Sequence, residues 1–444
     1  MSKNESLKSL KIIILLESLE LGGAERQAVL LAHTLQKNHG ANVEVWGLAE
    51  QNTFHSPENR LVPFCEELGV TWRSIELPMP SDWLEWIDWL PKFQQLLGNE
   101  KPNVILPYYT TNITAGILWR RVGARTCIWG QRDEGRHRPP RFIEALAVAN
   151  TPWFISNSQD GLSFLRSTLK IDSGRLAQIR NGVMVSDPLE DRVKWRTRLE
   201  IKEDQVLVVM VANLHRFKDH RTLINSWRLI NQSIPHNFRA PILALAGYPY
   251  DTANELKEQA VSLDLADSIF FLGHVADVSG LLAAADICVH SSRSEGIPNG
   301  ILEAMAMGLP VVATDIPGIR EALGADAIEW LAAPNDAYGL AERISRLLLN
   351  IDLRRKVGAC NRERVFAEFG IERLGIETAN LILLTAKHSR PWSLLGWLLA
   401  IPGLLSAGLL AWQATHLLKK YSNEFSRQLR RGLSKTPILW RIIK

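Results

Sequence analysis

The stretch SEGIPNGILEAMAMGLPVVATD, residues 294–315, holds two carboxylates, Glu295 and Glu303, around a Gly-Ile-Pro-Asn-Gly turn at 296–300. A helical pattern follows the turn, and then an apolar run, Leu309 to Thr314, of the kind that makes a buried strand. The turn leaves backbone N–H groups free at a helix start, where the peptide dipoles favour an anion such as a phosphate. Glu303 falls about one turn into that helix and Glu295 just outside it. Carboxylates accept hydrogen bonds from hydroxyls, which is how proteins grip ribose and sugars. A loop able to hold phosphate, ribose and sugar together points to a nucleotide-sugar site.

Outward from this loop, short apolar runs alternate with helical patterns. In the first half KIIILL (11–16), NVEVWG (42–47), TWRSIEL (71–77), NVILPY (103–108), RTCIW (125–129) and WFISNS (153–158) read as strands, with helical spacing at 24–37, 57–68, 82–97, 113–122 and 139–149. A second series follows: VLVVMVAN (206–213), ILALAG (242–247), SIFFLG (268–273), ICVHSS (287–292) and PVVATD (310–315). Such alternation predicts parallel sheets covered by helices on both faces. The Gly, Ser, Asp and Pro residues at 182–188 mark a linker. The expected fold class is therefore α/β, two Rossmann-like doubly wound domains facing a cleft. Residues 1–185 are the expected N-terminal domain and 186–372 the expected C-terminal one, with a helix at 373–390 expected to pack back toward the first and 391–444 to form a C-terminal hydrophobic and basic helical extension. Ligands in such sheets sit beyond the carboxyl ends of the strands.

The composition, 46% hydrophobic and 22% charged over 444 residues, is that of a globular chain and excludes a disordered one. Cys65, Cys127, Cys288 and Cys360 are widely spaced and form no metal-ligand pair, in keeping with a reducing compartment. The apolar run Ile12 to Leu16 is too short for a signal segment and reads as a strand. From Pro391 to Gln413 there is no charge, enough length to span a bilayer, with Pro402-Gly403 midway and Trp392, Trp397 and Trp412 near the ends. The 32 residues from Gln413 then carry eight Lys or Arg and one Glu. Basic residues favour the cytoplasmic side, as does use of nucleotide sugars, so a single span puts the two ends in conflict. A re-entrant insertion, with the basic segment on anionic lipid, resolves it; a soluble helical hairpin packed on the domains is the alternative. In DWLEWIDWLPKF (82–93), Trp83, Trp86 and Leu90 share a helical face, which core packing explains and lipid contact would explain if a Trp were exposed.

Two further loops carry chemistry. Gly22-Gly23 precede a helix near Ala24 and let backbone approach a ligand, although most such pairs are only tight turns. VANLHRFKDHRTL (211–223) ends a strand in the second half, and its Lys218 and Arg216 can neutralise a diphosphate leaving group. As an isolated segment this would read as two solvated cations.

Taken in order, Gly22-Gly23-Ala24-Glu25-Arg26, SNS (156–158), RNGV (180–183), ANLHRFKD (212–219), AGYP (246–249), FLGHVAD (271–277), the 294–315 block and GIRE (318–321) resemble the family 4 retaining glycosyltransferases of the GT-B fold, over roughly residues 10–385. The resemblance implies that Glu303 binds the donor ribose and Glu295 contacts the transferred sugar. It makes 1–185 the acceptor domain and 186–372 the donor domain, and gives Gly296, Ile297, Pro298, Asn299 and Gly300 to sugar and diphosphate and Lys218 to the diphosphate; Gly22 and Gly23 are ligand candidates through their backbone. Gly273 and His274 would border the base. Asn213, itself a donor-site candidate, stands where the family often has an arginine, which makes Arg216 the candidate second phosphate cation. Where the family often has a histidine after the strand ending at Trp129, this chain has Gly130 to Gly135, so Arg132 and Asp133, ahead of His137, become candidates for the acceptor side. The implied function is retaining, metal-independent transfer of a hexose, with no cofactor. The donor is a nucleotide sugar, UDP- ahead of GDP-, and the acceptor a glycan or lipid-linked molecule in surface polysaccharide or glycolipid synthesis at the cytoplasmic face of a membrane, with no nucleic-acid partner. A nucleotide-sugar epimerase or hydrolase of the same fold, or a degenerate membrane scaffold, are the alternatives.

Overall fold

A computed structural model of the chain describes residues 6–48, 61–77, 80, 85–133, 135 and 141–387. The expectations for 391–444, for Trp83 and for His137 lie outside these residues.

The N-terminal domain runs β1 (Lys11–Leu16), α1 (Gly23–His39), β2 (Asn42–Leu48), α2 (Val62–Glu67), β3 (Thr71–Ile75), α3 (Glu85–Asn99), β4 (Val104–Pro107), α4 (Thr111–Leu118), β5 (Thr126–Gln131), α5 (Arg141–Asn150), β6 (Trp153–Ser156), α6 (Gln159–Ser167) and β7 (Leu176–Gln178). Its seven strands are parallel in the order β3-β2-β1-β4-β5-β6-β7. β1 shows why the pattern is a continuous apolar run. Ile12, Ile14 and Leu16 enter one core, and Ile13 and Leu15 the core on the other face, so both sides must be apolar. Trp86, Trp89 and Leu90 of α3 are buried in the second core, with Trp89 stacked on Phe93 at 4.7 Å, so this face packs on the sheet.

The C-terminal domain repeats the plan with α7 (Arg192–Arg198), β8 (Leu207–Val211), α8 (His220–Ser233), β9 (Ile242–Ala246), α9 (Ala253–Ser262), β10 (Ile269–Gly273), α10 (Val278–Ala284), β11 (Ile287–His290), α11 (Asn299–Ala306), β12 (Val311–Thr314), α12 (Pro317–Leu323), β13 (Leu331–Ala332), α13 (Ala337–Leu348) and α14 (Ile351–Glu368). The six parallel strands lie in the order β10-β9-β8-β11-β12-β13. In both sheets the order reverses beside the first strand, between β1 and β4 and between β8 and β11, and the crevice opens beyond those strand ends.

The chain crosses between domains a second time. Val183 N–H donates to Phe369 C=O at 2.8 Å, and Val183 bridges to Gly370. A last helix, α15 (Ile371–Lys387), then returns to the N-terminal domain, where Leu374, Ala379, Leu381, Ile382 and Ala386 join the core under α1. Two strands, β7 and β13, are absent from the sequence reading. Leu176-Ala177-Gln178 is half-buried and Leu331-Ala332 is two residues long, so neither has a periodicity to detect. Among the described residues no helix is long and apolar enough to cross a membrane.

Candidate functional site: the interdomain cleft

The end of β11 sets the first carboxylate in place. His290, Ser291 and Ser292 are buried, and Ser291 and Ser292 donate to the Lys218 and Phe217 carbonyls at 3.2 and 2.9 Å. Arg293 N–H donates to the same Phe217 carbonyl at 2.8 Å. The loop after β11 is thereby stitched to the one after β8, bringing Lys218 onto Glu295. Lys218 Nζ pairs with Glu295 Oε1, which also lies 3.0 Å from Ser292 Oγ and 3.1 Å from His290 Nε2. Burial works against the charge on Glu295, but the Lys218 ammonium and the His290 contact outweigh it and hold the carboxyl well below the usual range. Burial lowers His290 despite that partner, so the ring stays neutral, and with its proton on Nε2 it donates a hydrogen bond to the carboxylate.

The second carboxylate comes from α11. Its N-terminus follows Pro298, and Glu303 projects into the cleft, where Arg26 Nη1 of the opposite domain lies 2.8 Å from Oε1. The cleft encloses about 230 Å³. Of the residues expected from the sequence, Gly22, Gly23, Asn213, Lys218, His274, Pro298, Asn299, Gly300 and Glu303 all line it. Glu295 does not itself line the cleft; its carboxylate pairs with Lys218 and His290, which do. Gly273 ends β10 beside His274, with φ 66°. Ile297 is buried, and its carbonyl accepts from Asn181 Nδ2 at 3.0 Å. Gly296 backs onto the N-terminal domain, since a Cβ there would lie 2.9 Å from the Arg132 carbonyl.

Three expected residues stand elsewhere. Arg216 is 72% exposed in its side chain, 3.8 Å from Asp251 and over the Phe217 ring, and does not line the cleft. Arg132 and Asp133 are buried and do not line the cleft. Arg132 stacks 4.0 Å above the Tyr108 ring and donates to the Tyr108 hydroxyl, while its buried Nε has no hydrogen-bond partner among the described residues. Asp133 Oδ1 accepts from Gln131 Nε2 and Gly135 N–H, both at 2.8 Å, and closes the turn after β5.

Other residues of the site escaped the sequence reading. His290 had only its position five residues before Glu295 to signal it. Gln27, Asn157 and Asn181 form a buried amide network with Asn299. Asn181 Nδ2 donates to Asn299 Oδ1 at 3.0 Å, Gln27 Nε2 to the same oxygen at 3.2 Å, and Asn157 Nδ2 to Asn181 Oδ1 at 3.1 Å. Asn299 Nδ2 completes it by donating to the Gly23 carbonyl at 2.9 Å. Asn157 and Asn181 belong to the quoted SNS and RNGV motifs, which gave them no role. The network ties the donor loop to the N-terminal domain. Among the described residues no group of three or more His, Cys, Asp or Glu converges on a metal position.

Residues 21–187 match the family model described as Glycosyltransferase Family 4, and residues 205–350 the one described as Glycosyl transferases group 1. The chain is similar to N-acetyl-alpha-D-glucosaminyl L-malate synthase of Bacillus anthracis, 26% identical over 41% of this chain and 47% of that protein. It is also similar to the putative glycosyltransferase EpsD of Bacillus subtilis, 31% identical over 40% and 45%. The matches thus span about half the length of these curated relatives. Among solved structures it resembles Anabaena Alr3699/HepE in complex with UDP and glucose, with a TM-score of 0.71 and 20% identity over 84% of this chain and 99% of that one, a likeness of fold. With one family model on each of two parallel-sheet domains that close on a shared cleft, the chain belongs to the family 4 glycosyltransferases of the GT-B fold.

Proposed function

We propose that the chain transfers a hexose, with retention of configuration and without a metal, from a nucleoside diphosphate sugar to a glycan or lipid-linked acceptor. The observation that carries this reading is the placing in one cleft of Glu303, on the first turns of α11, and of Lys218, whose partner is Glu295. Glu303 suits vicinal ribose hydroxyls, Glu295 a sugar hydroxyl, and Lys218 with the α11 N-terminus suits a diphosphate. The bond from the sugar's anomeric carbon to the phosphate oxygen breaks as the acceptor oxygen bonds to that carbon from the same face. The departing diphosphate takes the acceptor's proton. Negative charge then grows on phosphate, where a fixed cation lowers the barrier most. The complex of the Anabaena protein with UDP supports a UDP-sugar ahead of a GDP-sugar.

The test is nucleoside diphosphate release from UDP- and GDP-sugars with added acceptors, with the product anomer read by NMR and chelator present in one arm. Retention with an unchanged rate in chelator is expected, and Lys218→Ala should lower kcat by about 10²–10³-fold. Near wild-type kcat in that variant, or an inverted product, sinks the reading.

The uncharged run 391–413 and the basic residues after it support action at the cytoplasmic face of a membrane. Co-sedimentation of the full chain, but not of residues 1–390, with vesicles containing anionic lipid is the expected result; equal behaviour of the two would end this part of the proposal.

A further inference from the structure

Among the described residues lining the cleft, the lysines and arginines are Lys218 and Arg26, one from each domain. A diphosphate carries two charged groups, and the C-terminal domain offers only Lys218 to them. Arg216 turns outward to Asp251, and Asn213, where a second cation is expected, uses Oδ1 to accept from Tyr248 N–H at 3.0 Å. Arg26 stands on the first turn of α1, beside Gly22 and Gly23, with its guanidinium 5.6 Å from the Phe64 ring. Its partner is Glu303, the carboxylate that the reading above gives to the ribose. A bidentate grip on two vicinal ribose hydroxyls uses both carboxylate oxygens, and Arg26 occupies Oε1.

We propose that Arg26 is the second diphosphate-binding cation, supplied from the N-terminal domain, and that donor binding exchanges partners, with Arg26 passing to the phosphates as Glu303 passes to the ribose. This rests on the nucleotide-sugar reading of the cleft. Both exchanged contacts are charge-assisted, and the guanidinium fork fits two phosphate oxygens. Because the arginine and the carboxylate sit on opposite domains, the exchange replaces a direct bridge between them with one that runs through the diphosphate.

The test compares calorimetric binding of uridine and UDP to the full chain and to Arg26→Ala, Arg26→Gln and Arg26→Lys, using guanosine and GDP if the wild type prefers them. The expected result is a loss in UDP affinity of about 10- to 100-fold in Arg26→Ala and Arg26→Gln. Uridine should bind those variants as well as wild type or better, because Glu303 is released, and Arg26→Lys should recover part of the UDP affinity. Retained uridine binding also reports that the variant cleft is folded. UDP binding as tight as, or tighter than, wild type in Arg26→Ala overturns the proposal, because Arg26 then only competes for Glu303. Loss of uridine binding in Arg26→Gln overturns it as well. A wild-type chain that binds neither diphosphate sinks the nucleotide-sugar reading itself, and this exchange with it, whereas the variant outcomes bear on Arg26 alone.

Discussion

Glu25 stands one residue before Arg26, with its carboxyl folded back over Gly22 so closely that a Cβ there would lie 2.1 Å from Oε2. Burial, with the Glu17 and Glu20 carboxylates adding to it, raises its pKa from 4.5 to about 7, against its own backbone N–H and the Arg132 charge. A carboxyl raised on folding favours the native state while it is protonated. Its contribution is fully present below pH 4.5 and is lost as pH rises through about 7. Glu25→Gln, which cannot ionise, should remove this dependence. The difference in Tm between variant and wild type should therefore move in the variant's favour between pH 4.5 and 7.5. A constant difference across that range would show that Glu25 is not raised.

At the scale of elements, the donor loop owes its shape to what lies behind it. α12 packs so near that a Cβ on Gly318 would lie 1.7 Å from the Gly296 carbonyl oxygen and 2.6 Å from that of Glu295. Any side chain there must push the loop or the helix aside, and the loop carries the carboxylate on which Lys218 rests. Gly318→Ala should cost about 1–3 kcal/mol in denaturant unfolding, the usual penalty for overpacking, and should weaken binding of the nucleotide sugar as well. Unchanged stability with unchanged donor affinity would mean that the loop tolerates displacement. On the other side, Glu321 of the same helix accepts from Gln159 N–H at 2.8 Å at the start of α6 and from Gln178, so α12 braces the loop and the domain joint together.

For the whole molecule, the order of the chain and the boundaries of its cores differ. α15 follows the C-terminal domain in sequence but completes the N-terminal core, where Ile382 is fully buried. Ile382→Ala should cost about 2–5 kcal/mol. The loss should fall on the N-terminal domain: hydrogen exchange should quicken in β1 and α1 while β8 and α8 keep their protection. Equal loosening of both domains would show that the two sheets unfold as one unit.

The parallel architecture was legible in the sequence because strands buried on both faces must be apolar at every position, as Ile12 to Leu16 are. The donor residues were legible too, because the turn at 296–300, Glu295 and Glu303 are close in sequence and their spacing is itself the chemistry. β7 and β13 were not, being too short for a period. Neither was any partnership between residues far apart in the chain, such as Arg26 with Glu303, Asn181 with Asn299, or α15 with α1. Nor could the sequence tell that Arg216 turns outward while Lys218, two residues on, turns in. That choice belongs to the 3₁₀ turn between β8 and α8 and to the two serines just after β11 that hold it. Local patterning sets which elements form and which residues they carry, since it acts through neighbours along the chain. Which charges meet across a cleft depends on how two separately folded sheets dock, and only the tertiary structure decides that.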